Sequence, residues 1–221
     1  VLVGGAGFIG HNLALELARE GAKVEIIDSL QVNNLLSLST DYSDPVNREL
    51  YLRMLNERFD LLRAAGVTLH PQDARDYHAM SRIIAAVKPD AIVQLAAVSH
   101  ANRSNKDPYS TFDHSLRTLE NALDIARGCT GHFVFLSSSM VYGNFKVAEV
   151  DEDQPLDPIG IYGALKLAAC LKAGRQGQGQ QNGQGNAGPR QARQGQQSQG
   201  SQGLQGQSTG NGVQILSVSV R

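Results

Sequence analysis

Cysteine is scarce: Cys129 and Cys170 are the two thiols in a chain of 221 residues. Two thiols give no disulfide framework, so a reducing cytoplasm is the expected location. Net charge is almost absent, with 20 basic against 21 acidic side chains. No general field for nucleic acid or an anionic membrane follows from that balance. No apolar run approaches the roughly 20 residues that a membrane span needs, and no signal peptide is visible. Nucleic acid and membrane are therefore not expected partners. The length suits one domain with a sizeable core, or one domain plus a fragment.

What is present divides into unlike parts. Residues 174–212 hold 13 Gln and 12 Gly in 39 positions, with three Arg and no acidic residue. One large aliphatic side chain, Leu204, lies in this stretch. Such a composition cannot bury enough apolar surface to offset chain entropy, so a disordered insert is expected. An interaction tract is the alternative. Residues 1–173 carry 16 basic and 21 acidic side chains and form the expected folded domain. Residues 213–221 hold one more strand. The sequence opens at Val1 inside a strand-like run and closes just after another, as a fragment would.

Through residues 1–173 short apolar runs alternate with helical patterns. Strands are expected at Val1–Val3, Val24–Ile27, Val67–His70, Ala91–Leu95 and His132–Leu136, and a sixth at Val213–Val220. Helices are expected at Phe8–Glu20, 45–65, about 76–87, from Asp107-Pro108 to Arg127, and from near Ile159. In the second helix Leu52, Leu55, Phe59 and Leu62 share one face. Asp107 caps and Pro108 opens the fourth. The alternation implies parallel βαβ units and an α/β, doubly wound parallel sheet with helices on both faces. On such sheets ligands sit at the carboxyl ends of the strands.

Two constellations lie at such ends. Gly4, Gly7 and Gly10 are spaced G-x-x-G-x-x-G between a strand and a helix. One glycine permits the turn, one admits a pyrophosphate, and one lets helix and strand pack closely. The helix N–H groups then face the phosphates. Asp28 follows 18 positions later at the end of the next strand. A carboxylate there accepts ribose hydroxyls and repels a 2′-phosphate, so NAD is preferred to NADP. In the second constellation Tyr162 and Lys166 share a helix face at i and i+4, and Ser138 ends a buried strand. An unperturbed phenol titrates near pH 10. Lowering it by about three units takes roughly 4 kcal/mol, which suits two cations, Lys166 and a nicotinamide, better than one. At least one of the serines at 137–139 is expected to serve only as a strand-end cap.

Gly4-Gly-Ala-Gly-Phe-Ile-Gly10, Asp28, Asp73-Ala-Arg-Asp76, Leu95-Ala-Ala97, Ser137-Ser-Ser-Met-Val-Tyr-Gly143 and Tyr162-Gly-Ala-Leu-Lys166 occur in order. This set resembles the extended short-chain dehydrogenase/reductase family, and within it the NAD-dependent nucleotide-sugar epimerases and dehydratases of UDP-glucose 4-epimerase type. The resemblance implies a Rossmann-type fold and roles by position. Gly4, Gly7, Phe8, Ile9 and Gly10 match the pyrophosphate loop. Asp28 and Ser29 match the adenosine-ribose site, and Asp73 and Ala74 the adenine site. Leu95, Ala96 and Ala97 match the wall along the cofactor. Ser138, Tyr162 and Lys166 match the catalytic trio, the last two also touching the cofactor. No metal is implied. Val98–Ser104 matches a substrate-side loop, in which His100 touches substrate or orders the loop. A homodimer through the helices at 107–127 and 160–173 is a further implication.

The departures are informative. Val3 replaces the usual Thr before the glycine loop. Ser139-Met140 stands where the dehydratases place Asp-Glu, which favours epimerase over dehydratase. Leu116 aligns with the family's helical Asn. The C-terminal substrate domain of the family is missing from this sequence. The expected function is NAD-dependent epimerisation of a nucleotide-diphosphate sugar, a UDP-sugar by resemblance, through a 4-keto intermediate. The alternatives are a non-catalytic NAD-binding module or sensor, and a nucleotide-sugar dehydratase or reductase.

Overall fold

A computed structural model of the chain describes residues 1–31, 34–40, 45–98, 101–145, 153–178, 206–209 and 213–219. Strands β1 (Leu2–Val3), β2 (Glu25–Asp28), β3 (Thr68–Pro71), β4 (Ala91–Gln94) and β5 (His132–Leu136) pair in parallel. With β6 (Gly206–Thr209) and β7 (Val213–Ser219) they form one seven-stranded sheet of order β3-β2-β1-β4-β5-β7-β6. The chain moves outward from β1 to β3, then returns to the other side of β1 for β4. The reversal opens a crevice beyond the carboxyl ends of β1 and β4.

The alternation of side chains along the strands divides the core. Leu2 and Ile26 face one way and pack with Ala14 of α1 (Phe8–Arg19) and Leu62 of α3 (Pro45–Ala64). Val3 and Ile27 face the other way, into a cluster with Ile84 of α4 (Tyr77–Val87) and Leu123 of α7 (Thr118–Ala126). Ala169 and Cys170 of α8 (Gly160–Gln178) join that second cluster. A sheet buried on both faces explains why its strands read as continuous apolar runs.

Several elements depart from expectation. A short helix, α2 (Leu35–Thr40), lies where none was read; its Ser and Thr positions give little helical signal. Ala101–Lys106 forms a helix, α5, so the expected loop at 98–104 is helical from Ala101 onward. Ser99 and His100 lie outside the described residues. The long helix beginning at Asp107 is interrupted: α6 (Pro108–Phe112) passes into a π-helical segment, Asp113–Arg117, before α7. Asp107 does cap it, accepting a hydrogen bond from the Ser110 N–H at 2.9 Å. The strand at 213 runs antiparallel to β5, with Val134 opposite Ser217. It pairs antiparallel with β6 as well, so β6 takes the parallel direction and β7 returns along it. Within the stretch read as an insert, α8 continues to Gln178 and β6 spans Gly206–Thr209; residues 179–205 lie outside the described ones.

Candidate functional site

A cleft of about 520 Å³ lies at the carboxyl ends of the strands. Its floor is the turn between β1 and α1. Gly4 holds φ +76°, and a Cβ there would meet the Ala96 backbone nitrogen at 2.5 Å. A side chain at Gly10 would collide with the backbone of Gly5, whereas one at Gly7 would meet nothing closer than Gly4 O at 3.8 Å. Gly4 and Gly10 therefore let β1, β4 and α1 close up, and Gly7 leaves the cleft open above the turn. Gly7 caps α1 without any side-chain hydrogen bond. The N–H groups of the first helical turn are left facing the cleft, an arrangement that favours an anion.

Asp28 ends β2 beside this turn. Its Oδ2 accepts the Ala6 N–H at 2.9 Å and its Oδ1 the Leu30 N–H at 2.8 Å. A carboxylate has about four acceptor positions, so the pair of amides leaves room for ribose hydroxyls. Burial raises the Asp28 carboxyl above its ordinary value, opposed by those two amides and by the charge of Arg58. Asp73 follows β3. Burial pushes it upward, but hydrogen bonds from the Arg75 side chain and backbone outweigh burial and hold it below the ordinary carboxylate value. Arg75 spans from both Asp73 oxygens to Asp113 Oδ2 at 2.7 Å. The adenine-side turn is thereby tied to the π segment.

At the other end, Ser138 follows β5 and Tyr162 and Lys166 project from α8. The Ser138 Oγ accepts the Met140 N–H at 3.2 Å. Burial raises the Tyr162 phenol, and a hydrogen bond with Ser138 opposes that rise. Lys166 is 8% exposed. Burial lowers its ammonium to a pKa of about 8. Its Nζ donates to Leu136 O at 2.7 Å and lies 6.0 Å from the centroid of the Tyr162 ring. The lowering of the phenol expected from Lys166 is thus not present in this arrangement: burial dominates, and the ammonium is drawn to the Leu136 carbonyl. Ser137 is buried with its Oγ 3.0 Å from Cys170 Sγ, so of the two it is Ser138 that meets the cleft tyrosine.

Gly4, Gly7, Phe8, Ile9, Gly10, Asp28, Ser29, Asp73, Ala74, Leu95, Ala96, Ala97, Ser138, Tyr162 and Lys166 all line this one cleft. Sequence reasoning missed Arg58, His114 and Thr118, which line it too. Arg58 was detectable: it sits three residues after Leu55 and four before Leu62, a charge on the apolar face of α3. His114 and Thr118 were not, because the π segment shifts the helical phase. Leu116 does not line the cleft. It borders a small cavity behind Tyr162, with Phe135 and Ala169.

The residues present fit a dinucleotide: an anion-accepting turn in the middle, a carboxylate at one end and a Ser–Tyr–Lys set at the other. Comparisons agree with the fold. The sequence model of the GDP-mannose 4,6 dehydratase family matches residues 1–173. A UDP-glucose 4-epimerase of Oryza sativa subsp. japonica is 31% identical over 169 residues, covering 76% of this chain and 38% of that protein. One from Lacticaseibacillus casei is 30% identical, covering 76% and 43%. The chain thus spans less than half the length of these curated relatives. Among solved structures, the UDP-glucose-4-epimerase of Stenotrophomonas maltophila, with bound NAD and a formylated UDP-arabinopyranose, gives a TM-score of 0.63 at 27% identity, covering 80% of this chain and 48% of that one. The Thermus thermophilus enzyme in complex with NAD gives 0.63 at 25%, covering 80% and 50%. Among the described residues no helix is long and apolar enough to cross a membrane.

Proposed function

The chain belongs to the GDP-mannose 4,6 dehydratase family, and from that premise we propose that it is the NAD-binding portion of a nucleotide-sugar epimerase acting on a UDP-sugar. The observation that carries the reading is the single cleft with Asp28 at one end and Ser138, Tyr162 and Lys166 at the other. NAD would lie along it, with its adenosine ribose on Asp28 and Ser29 and its adenine beside Asp73 and Ala74. Its pyrophosphate would rest on Gly4, Gly7, Phe8, Ile9 and Gly10, and its nicotinamide half along Leu95, Ala96 and Ala97. Bound there, NAD supplies a hydride acceptor that returns the hydride within the same cycle.

The chain's own residues handle the proton. Tyr162 takes it from the sugar hydroxyl as general base and returns it after the 4-keto sugar has turned over. Ser138 holds the same oxygen and stabilises the phenolate by hydrogen bonding. Lys166 would hold the nicotinamide ribose, and with the cofactor bound its charge would add to that of the nicotinamide in lowering the phenol. Ser139 and Met140, in the 3₁₀ turn after Ser138, offer no acid or base for removing water, which favours epimerisation over dehydration. Tyr109 and Phe112 stand 79% and 55% exposed, which supports a homodimer surface on the helices at 107–127 and 160–173.

The test is NAD binding by calorimetry for the 221-residue chain and for Asp28→Ala, followed by turnover of UDP-sugars with Tyr162→Phe as control. Binding lost in Asp28→Ala and turnover lost in Tyr162→Phe support the enzyme. Binding without turnover supports a dinucleotide-binding module. Absence of binding overturns the cofactor assignment.

A further inference from the structure

Arg58 is a charged cleft residue that the proposed mechanism does not use. It reaches the cleft from α3, beside Asp28 and Ser29. Its Nη1 donates to the Ala6 carbonyl at 2.9 Å. That carbonyl also accepts from Asn34 Nδ2 at 3.1 Å, so the glycine turn keeps a donor without Arg58. The Arg58 Nε is buried and has no hydrogen-bond partner. Asp28 acts on the guanidinium through charge, without a hydrogen bond between the two. Both Asp28 oxygens are engaged by the amides of Ala6 and Leu30. The Arg58 guanidinium thus lines the adenosine-ribose end of the cleft with its Nε buried and its Nη1 on the Ala6 carbonyl, next to a carboxylate whose charge is already partly satisfied.

The expected chemistry of that end was rejection of a 2′-phosphate by Asp28. A guanidinium fork matches a phosphate and forms charge-assisted bonds to it, and an arginine near this ribose accommodates the 2′-phosphate of NADP in doubly wound folds. We propose that Arg58 is the specificity-determining residue of the adenosine-ribose site and lets the cleft take 2′-phosphorylated as well as unphosphorylated adenine dinucleotides. The proposal rests on the dinucleotide site described under Proposed function. Asp28 and Arg58 act in opposition: the carboxylate selects free hydroxyls, the guanidinium selects phosphate, and their balance sets the ratio.

The experiment is calorimetry of the 221-residue chain with NAD and NADP, and with 5′-AMP and adenosine 2′,5′-bisphosphate as fragments of the adenosine end. Arg58→Met, Arg58→Lys and Asp28→Asn are compared with the parent, each first checked for an unchanged melting temperature. The parent is expected to bind both dinucleotides. Arg58→Met should weaken NADP at least about tenfold more than NAD, the scale of one charge-assisted bond. Arg58→Lys should restore part of that loss, and Asp28→Asn should move the ratio toward NADP. Equal weakening of both dinucleotides in Arg58→Met would reduce Arg58 to support of the glycine turn and overturn the proposal. So would a parent that binds NAD but not NADP. Binding of neither dinucleotide by the parent would overturn the underlying site instead.

Discussion

Lys166 has the most displaced titration in the cleft, with a pKa of about 8 where burial has lowered it. In the unfolded chain it titrates near 10.4. Between these values the unfolded state binds more protons, so its contribution to stability rises with pH across that window. Denaturation of the parent and of Lys166→Met at pH 7 and pH 10 should show a gain of about 2.5 kcal/mol from this group in the parent alone; parallel pH dependence would contradict it. Tyr162→Phe should lower turnover by about 10²–10⁴-fold, the usual worth of a general base, with little change in NAD affinity. Arg75→Met should cost about 1–3 kcal/mol by urea denaturation, because two partly buried carboxylates lose their shared partner. Asp73 lies below its ordinary value, so its share of that difference is present above about pH 3.9 and fades as pH falls further. At this scale the sequence singled out Asp28, Ser138, Tyr162 and Lys166 because their chemistry demands a residue type, and the structure brings the four to one cleft. It misread the electrostatics of Tyr162: a lowering by Lys166 was expected, but burial raises the phenol and the Lys166 ammonium turns to the Leu136 carbonyl.

Among the elements, the β1–α1 turn is one that a single methyl group can break. Gly10→Ala forces a Cβ against the Gly5 backbone. The expected cost is about 1–3 kcal/mol, the range for overpacking, read from the urea midpoint together with weaker NAD binding. Periodicity located the α1 and α3 helices because each buries one face of a regular α-helix. It failed between Asp113 and Arg117, where the π geometry carries His114 and Thr118 to the cleft and Leu116 to the packing behind Tyr162. It failed also at β7. The apolar run marked a strand, but its direction is set by β6 on the outer edge, and β6 lies in a stretch whose composition gives no strand signal.

For the whole molecule, a doubly wound sheet with helices on both faces was readable from the alternation of strands and helices, since each crossover has one favoured hand, whereas the strand order came from the structure. Pairing distance along the chain was not visible in any local pattern, and it has a consequence for biosynthesis. Leu2 pairs with Val93 as well as with Ile26, so β1 waits for a neighbour made some ninety residues later. As the polypeptide emerges from the ribosome, the β1–β3 ribbon can assemble while one edge of β1 stays open and apolar. Such an edge invites wrong partners until β4 arrives. Synthesis that pauses between β3 and β4 should therefore raise the demand for chaperones, and a pause after β5 should not.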